Sequence, residues 1–566
     1  MLILGINYLS ESSVCLIKDG NLKYALSEER INRKKNWYGI PYLSINKLLK
    51  DCNLKINEID YITTHGISAL NKKVPNLKDF EIKKNKIKKS FLNSKSKKFL
   101  IKKINERMDH EKNVIHKRTL DILKELKKKF KKIEVYDHHK SHAASAYYFS
   151  NFNQCYSLTI DGWGDDASSK LFYCSNGEMK EIRRTPTIDS LGYFYGSITK
   201  LLGFTPHKHE GKVLGLAAYA NPKKAYKEIS KLIQFNKKTL NFEGLTDKGI
   251  YLPCFNNPNL KYLLKKYSKA EIASATQKRL EDVVVQYIKS ISTKKFNLAL
   301  AGGVFSNVKL NQKISEIKNI NNIYVFPNMG DGGLSVGSAA LCMNEKKGIK
   351  KFKYENMYLG PKCSQRISKK KIKQFKIKEI KLSSKKLYSH IGKLLNNNKV
   401  IALVDKRMEF GPRALCNRSI ICSAKDSKIN EDLNKKLKRT EFMPFAPVVL
   451  KQDYSKYFYY SEKKHINTFN MTITVKCKKI TERKAPAVVH VDCTARPQII
   501  DKKINLNMYN ILKSYQKLSK IPILINTSLN VHEEPIVFDE NDALRAFKSS
   551  NLDYLLIDKS LYTHEN

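Results

Sequence analysis

A chain of 566 residues is too long for a single hydrophobic core and is expected to divide into about two to four domains, and an apolar content of 42% is enough to fill them, which excludes a disordered or fibrous protein. The 105 lysines and arginines exceed the 53 aspartates and glutamates by 52, a balance that ordinarily points to nucleic acid or an anionic surface, but lysine is spread along nearly the whole chain, so a compositional bias on solvated faces explains it equally well. The 11 cysteines occur singly with no CxxC pair, and the N-terminus "MLILGINYLS" lacks a basic region, with no later window of about 18 apolar residues, so zinc ribbons, disulfide scaffolds and a membrane span are not indicated and a cytoplasmic, reducing location is expected.

Apolar runs punctuated by a Gly-containing turn predict strands over Leu2–Asn7, Val14–Lys18 and Leu22–Leu26, with "KDGN" as the turn. Lys83 to Met108, "KKNKIKKSFLNSKSKKFLIKKINERM", carries spaced Ile, Phe and Leu that allow amphipathic helices and reads as a basic docking face or a charged helical insertion. "YDHHKSHAASAYYF", Tyr136 to Phe149, runs three histidines into small residues that favour a helix; His138 and His142, at i and i+4, then share a face one turn apart and could hold one metal ion. The competing reading is a polar helix start whose histidines are solvated or capping.

"CYSLTIDGWGDDASSKLFYCSNGEMKEIRR" repeats the opening pattern: a strand ending at Asp161, a Gly-bearing loop, a strand over Lys170–Cys174, the turn "SNGE" and a third strand. Two such meanders, each followed by a helix-rich stretch, are expected of a duplicated ribonuclease-H-like α/β fold of the actin, sugar-kinase and Hsp70 type, with a nucleotide cleft between its halves. "LALAGGVFSNVKLN" and "IYVFPNMGDGGLSVGSAAL" each place glycines (Gly302-Gly303; Gly330, Gly332, Gly333) between an apolar strand and a helix-like run, the arrangement that aims backbone N–H groups at an anion. One glycine pair alone is more often a tight turn. Two, joined by Asp161 and Asp331 at strand ends, favour a nucleotide or metal cleft, and two histidines with two aspartates form a mixed N/O set suited to iron(II), manganese or zinc.

The character changes near residues 350–365. Beyond it arginine, elsewhere scarce, clusters beside Gly and Pro: Arg407, Arg413 and Arg418 in "DKRMEFGPRALCNRS", Arg439 in "KRTEFMPFAPVV" and Arg496 in "HVDCTARPQII". The planar guanidinium grips phosphate or carboxylate at two points. "ILINTSLNVHEEPIV" adds Asn526, Thr527, Ser528 and Asn530 at a strand exit, so this half reads as a pocket for a small phosphorylated anion.

In order and along nearly the whole chain, "SEERINRKK", "DHHKSHAASA", "TIDGWGD", "EGKVLGLAAYA", "LAGGVFSNVKLN", "NMGDGG", "EFGPRALCNRSI", "RTEFMPFAPVV", "HVDCTARPQ" and "INTSLNVHEEPIV" resemble the O-carbamoyltransferases of the nodulation and aminoglycoside/cephem antibiotic type. The resemblance implies an N-terminal domain (1–350) similar to the tRNA threonylcarbamoyl transferase fold, a linker (351–365), and a C-terminal domain (366–566) similar to the enzyme that makes threonylcarbamoyl-adenylate. It implies that carbamoyl phosphate loses phosphate, that the carbamate attacks the α-phosphate of Mg2+-bound ATP to give carbamoyl-adenylate and pyrophosphate, and that an acceptor hydroxyl of a sugar or glycan precursor takes the carbamoyl group. His138, His142, Asp161 and Asp331 are then the ligands of Fe(II) or another divalent metal. The nucleotide is expected against Gly302, Gly303, Asn307, Gly330, Gly332 and Lys212. Carbamoyl phosphate and ATP are expected among Arg407, Arg413, Arg418, Arg439, Arg496, Asn526 and Ser528, with Asp161, Asp331, Arg418 and Arg496 in catalytic roles. Four positions depart from the pattern: Ser10 begins Ser-Glu-Ser-Ser where His-Asp-Ser-Ala is usual, Cys416 and Cys493 stand for glycine, and Leu529 for phenylalanine. Two rival readings are a tRNA threonylcarbamoylation enzyme, supported by the charge but not by the second-half motifs, and an actin- or Hsp70-like ATP-binding scaffold, which gives the arginines no role. The motif set argues against nucleic acid as the partner.

Overall fold

The computed structural model describes residues 1–566 except 71–76, 250–256, 364–365, 440–441, 460–466 and 566; residues 364–365 of the expected linker and Thr440 and Glu441 of "RTEFMPFAPVV" thus lie outside the described residues. The chain is mixed α/β with several sheets and divides into two units.

The first unit comprises Met1–Tyr8, Cys15–Leu22 and Ile56–Lys353. Strands β1 (Leu2–Asn7), β2 (Ser13–Lys18), β3 (Asn21–Ser27), β4 (Tyr61–His65) and β5 (Ile133–Tyr136) form a sheet in the order β3-β2-β1-β4-β5, with β4 parallel to both β1 and β5. From Ile3 onward every residue of β1 is buried, as a near-continuous apolar strand covered on both faces requires. The pattern then recurs. Strands β6 (Gln154–Gly164), β7 (Ala167–Ser175) and β8 (Glu178–Thr185) make an antiparallel meander. After a separate two-stranded ribbon, β9 (Ile233–Asn236) and β10 (Asn241–Gly244), come β11 (Phe296–Ala301) and β12 (Ile320–Val325), with β11 parallel to β6 and to β12. The resulting order, β12-β11-β6-β7-β8, is that of the first sheet: a meander whose first strand receives two further strands on its open side.

Two helices fill the space between these sheets: His138–Tyr147 lies on β6 and β11, Leu334–Lys347 lies on β1 and β4, and the helices pack on each other. Their small residues have a steric cause. A methyl group at Gly337 would stand 1.7 Å from the Ser141 carbonyl oxygen, and one at Gly5 would stand 2.0 Å from the Ser335 carbonyl oxygen. Backbone therefore meets backbone at both contacts, and the run of Ala143, Ala144, Ala339 and Ala340, all fully buried, leaves no slack in between.

Lys83–Met108 lies in a helical insertion, Leu77–Lys89, Ser94–His110 and Lys117–Lys129. It closes over its own apolar cluster of Phe80, Ile87, Leu100 and Ile104 with Ile188. Its lysines are partly neutralised: Lys83, buried, meets Asp189 at 2.7 Å, and Lys84, Lys86 and Lys103 pair with Glu81, Glu243 and Glu106.

The second unit comprises Leu9–Val14, Lys23–Lys55 and Tyr354–Asn566. Its eight-stranded sheet joins β13 (Ile377–Ile380), β14 (Ile401–Val404), β15 (Arg418–Ser423), β16 (Ala446–Leu450), β19 (Gln498–Ile500), β20 (Ile523–Ser528), β21 (Tyr554–Ile557) and β22 (Ser560–His564) in the order β13-β22-β21-β14-β15-β20-β16-β19; β17 (Val475–Lys476) and β18 (Thr494–Ala495) pair separately. The sequence places everything before residue 350 in one domain, whereas residues 9–14 and 23–55 fold with the second unit. The reason lies in "SEERINRKK": Arg30 donates to Gly411 O at 2.9 Å, and Arg33 donates to Ile536 O and Pro535 O at 2.8 Å each and meets Asp542 at 3.1 Å. Composition shows a change of character along the chain but not which distant carbonyls a guanidinium will find.

Replacing Gly337 by Ala should destabilise the first unit by about 1–3 kcal/mol or more, because neither helix backbone can retreat. Chemical denaturation of G337A against wild type checks this, and an unchanged midpoint would contradict the close approach.

Candidate functional site

The His138–Tyr147 helix begins where Asp137 caps it, its carboxylate accepting from the Lys140 N–H at 2.7 Å. His138 and His142 leave one face a turn apart, and His139 points elsewhere: its ring nitrogens lie 2.9 Å from Thr159 Oγ1 and 3.0 Å from Ala167 O, tying the helix to β6 and β7. Of the three clustered histidines, one is structural and two are left for chemistry. Gly164 lets His138 in, since a methyl group there would fall 2.1 Å from the imidazole Cδ2.

Asp161, in β6, is held by backbone: its two oxygens accept from Gly162 N–H at 2.7 Å and Gly303 N–H at 3.0 Å. Asp331 enters from the turn ahead of the Leu334–Lys347 helix. His142 Nε2 lies 3.2 Å from Asp161 Oδ2 and 3.5 Å from Asp331 Oδ1, and His138 Nε2 lies 3.7 Å from Asp331 Oδ1. One donor atom from each of the four residues falls within 4.8 Å of the others. Both histidines are buried; His138 Nε2 has no hydrogen-bond partner, an expensive state unless something takes its lone pair, and His142 Nε2 meets only the two carboxylates. The carboxylates are about one-fifth exposed, so the cluster opens on one side. Two imidazole nitrogens and two carboxylate oxygens with an open side fit a divalent ion and one further oxygen ligand.

The electrostatics agree with a site built for positive charge. Burial opposes charging His142, but hydrogen bonds and charge from Asp161 and Asp331 outweigh it and hold its pKa at about 9. Burial, then the charge of Asp161, raises Asp331 to about 6, whereas His142 holds Asp161 below the usual range against burial. Burial and then its neighbouring imidazoles push His138 well down. The two carboxylates thus favour positive charge at this point.

The glycine loops frame this cluster rather than standing apart from it. Gly302 has φ +102° and its N–H donates to Met329 O at 2.6 Å, which lays the two loops side by side; a methyl group on it would fall 2.4 Å from Ile160 O. Gly330 accepts from the Gly333 N–H at 3.0 Å, and Gly332 packs against the Asn328 side chain. Asn307 caps the Val308–Ser315 helix and exchanges hydrogen bonds with Gln277, so its side chain is committed to the fold. Lys212 is buried in the Glu210–Leu216 helix.

The residues around the cluster gave no signal in sequence. Asp165 accepts from the His138 N–H at 2.7 Å and from Ser68 Oγ at 2.5 Å, with burial and then Asp137 raising its pKa to about 7. His65 stacks on Tyr8, lies edge-on to His138 at 5.5 Å, and is kept neutral by burial. Exposed His207, in a left-handed backbone conformation (φ +65°), brings its Cε1 within 3.9 Å of where a Gly162 methyl group would be. Such contacts arise between residues scores apart, with no spacing to betray them.

In the second unit the arginines divide by what they touch. Arg418, fully buried, donates Nη1 to Asp405 O and Asn417 O at 2.7 and 2.8 Å, and Arg407 donates to the backbone oxygens of Gly360, Lys23 and Leu359. These guanidiniums hold loops together. Arg439 is fixed by Thr527 Oγ1 at 2.9 Å and Asn530 Oδ1 at 2.5 Å, beside Ser528, whose hydroxyl donates to Asn530. Arg413 and Arg496 are half-buried, Arg413 with burial lowering its pKa and Glu11 opposing. Asn526 bonds Ala414 O and Gln498 under the Arg413 loop. The loop owes its shape to Glu409, whose Oε1 accepts from the N–H groups of Leu415, Asn417 and Arg418 at 2.8–3.0 Å. Cys416 and Cys493, the two positions where the resemblance expects glycine, both have left-handed backbones, φ +73° and +58°. Leu529 is fully buried.

Comparison with known proteins shows the family. Residues 2–340 match the model of the carbamoyltransferase N-terminus and residues 392–564 that of the carbamoyltransferase C-terminus, so the chain belongs to the carbamoyltransferase family and is an enzyme of that kind. It is 32% identical to an uncharacterized protein of Methanocaldococcus jannaschii, over 98% of both chains, and 29% identical to the nodulation protein NolNO of Sinorhizobium fredii, over 97% of this chain and 78% of that one. Among solved structures, component A of (R)-2-hydroxyglutaryl-CoA dehydratase from Acidaminococcus fermentans aligns at TM-score 0.35 and 13% identity, covering 61% of this chain and 98% of that one. Among the described residues no helix is long and apolar enough to cross a membrane.

Asp405 is buried with its carboxylate on the Asn507 amide at 3.0 Å; burial raises its pKa to about 6, with Asn507 pulling the other way. The folded chain therefore holds a proton that the unfolded chain releases near 3.8, and the stability present below that pH is lost as pH rises through about 6, by about 3 kcal/mol. D405N should accordingly gain on wild type by about 2.4 kcal/mol between pH 4 and pH 8 in chemical denaturation. An equal difference at both pH values would refute the shift.

Proposed function

We propose that this carbamoyltransferase is an ATP-dependent O-carbamoyltransferase whose two units divide the work. The observation that carries this reading is the convergence of His138, His142, Asp161 and Asp331 in one buried, one-sided cluster in the first unit, remote in sequence from the arginine loops of the second. The repeated strand order of the first unit supports the duplicated ribonuclease-H-like architecture of the actin and Hsp70 type, with Gly302, Gly303, Gly330 and Gly332 lining a nucleotide site and Lys212 nearby.

In the second unit water releases phosphate from carbamoyl phosphate, and a carbamate oxygen attacks the α-phosphorus of Mg2+-bound ATP, forming carbamoyl-adenylate as pyrophosphate leaves. Arg413, Arg439 and Arg496, with Asn526 and Ser528 around them, meet the phosphates. Their fixed forks stabilise charge that shifts among oxygens, and a half-buried loop keeps water from the carbamate. Arg407 and Arg418 hold the loop that presents them. In the first unit an acceptor hydroxyl attacks the carbamoyl carbon, its proton is lost and AMP departs. His138, His142, Asp161 and Asp331 would hold iron(II) or another divalent ion, which when bound supplies Lewis acidity to a carbonyl or hydroxyl oxygen. Asp165 and Asp137 hold the helix that aims the two imidazoles, and the open side between the carboxylates admits the acceptor. A hydroxyl of a sugar or glycan precursor is the acceptor this reading assigns to the open side.

Because residues 9–14 and 23–55 belong to the second unit, a fragment beginning near residue 360 would lack part of it, and the test uses the whole chain. With carbamoyl phosphate, Mg2+-ATP and candidate nucleotide sugars, wild type should release pyrophosphate and add the carbamoyl mass to an acceptor. His142→Ala should lose bound metal and carbamoyl transfer but keep pyrophosphate release. Arg496→Lys should keep metal and lose pyrophosphate release about ten- to hundredfold, since a lost charge-assisted pair costs about 1.5–3 kcal/mol. Stoichiometric metal in His142→Ala, or an Arg496→Lys enzyme with unaltered kinetics, would defeat the respective assignment.

A further inference from the structure

The β17–β18 ribbon places two thiols opposite each other. Val475 pairs with Ala495 and Lys476 with Thr494, antiparallel; the ladder ends there, and one residue further along each segment the Cys477 N–H donates to Cys493 O at 2.8 Å. Antiparallel neighbours joined by a backbone hydrogen bond have Cα atoms about 5.5 Å apart, and a disulfide spans roughly 4.4–6.8 Å, so the 2.8 Å bond brings the two cysteines into that range. Both are free thiols; Cys477 is buried and Cys493 exposed. They also sense each other: burial, then Glu482, then Cys493 raise the Cys477 thiol to about 12.

The position of Cys493 is unusual in its backbone. At φ +58° an L side chain costs about 1–2 kcal/mol relative to glycine, which can occupy this conformation freely. A cysteine kept there is not explained by backbone fit. Three residues on stands Arg496, directly after the Thr494–Ala495 strand, so whatever fixes Cys493 constrains the approach of that guanidinium.

We propose that Cys477 and Cys493 close a reversible intrachain disulfide that locks the Asp492–Arg496 segment and so controls anion binding by the second unit; the effect on activity rests on the function proposed above, the disulfide does not. With hydrogen peroxide as oxidant, the exposed Cys493 thiolate attacks one peroxide oxygen, giving sulfenic acid and hydroxide. The Cys477 thiolate then attacks the Cys493 sulfur, the S–O bond breaks, and hydroxide leaves. The sum is two thiols plus peroxide to one disulfide plus two waters. Cys493 is the natural first target because it is the exposed member, and the buried, high-pKa Cys477 makes ring closure faster as pH rises. A second facing pair provides an internal control: Cys155 opposes Cys174 across β6 and β7, but both are buried in the sheet, out of reach of solvent oxidant.

The test treats the whole chain with hydrogen peroxide at pH 7 and pH 8.5, alkylates remaining thiols, and maps peptides by mass. A linked Cys477–Cys493 peptide, formed faster at the higher pH and opened by dithiothreitol while Cys155 and Cys174 stay alkylatable after unfolding, is the expected result. Pyrophosphate release should fall at least tenfold in the oxidised protein and return on reduction. Cys477→Ser should retain basal pyrophosphate release and form no link. Oxidation of Cys493 to its sulfenic acid with no linked peptide would overturn the disulfide, and a full link with unchanged pyrophosphate release would overturn its control of the site. Should the reduced protein release no pyrophosphate at all, the proposed function fails, and the peptide map still decides the disulfide.

Discussion

Much of the first unit depends on one close approach, the contact between the backbones of the His138–Tyr147 and Leu334–Lys347 helices at Ser141 and Gly337. Each helix covers one of the two five-stranded sheets, so the distance between the sheets is set where the helices touch. His138 and His142 stand on one partner, and Asp331 enters in the turn ahead of the other, so the same contact sets the distances among the candidate ligand atoms. A side chain larger than hydrogen at residue 337 would push these groups apart together, and a cluster of donor atoms tolerates displacements of only tenths of an ångström.

A second theme is the use of charged side chains to satisfy backbone as well as one another. Arg30, Arg33, Arg407 and Arg418 donate to main-chain carbonyl oxygens, and Glu28 and Glu409 accept from main-chain N–H groups, Glu28 from Leu43 and Ser44. Irregular loops carry backbone polar groups with no ladder to complete, and a buried guanidinium or carboxylate can close several at once. Arginine in this chain thus builds the loops of the second unit, Arg407 and Arg418 both being committed to main-chain carbonyls.

The convergence of His138, His142, Asp161 and Asp331 was legible in the sequence because its signal is local and chemical: two histidines four apart on a small-residue helix, and aspartates at strand ends followed by glycine. The strands were legible for the same reason, with Leu2–Asn7 matching to the residue and Lys170–Cys174 falling inside the observed Ala167–Ser175. The arginines show the limit. Composition flagged Arg407, Arg413, Arg418, Arg439 and Arg496 as a group, yet nothing in their spacing separates Arg418, enclosed by carbonyls, from Arg496. His139 illustrates the same limit one residue from a candidate ligand, its ring turned to Thr159 and Ala167.

The sequence by itself determined the alternation of strands and helices, the duplicated meander, the four donor residues and the order of family motifs, because these rest on periodicity and on chemistry carried within a few residues. Tertiary structure alone decided that residues 9–14 and 23–55 join the second unit, that Asp165, His65 and His207 gather around the histidines, and that Cys477 meets Cys493. Each of these is a contact between segments far apart in the chain. Its free energy depends on three-dimensional packing and register, which leave no trace in the order of neighbouring residues.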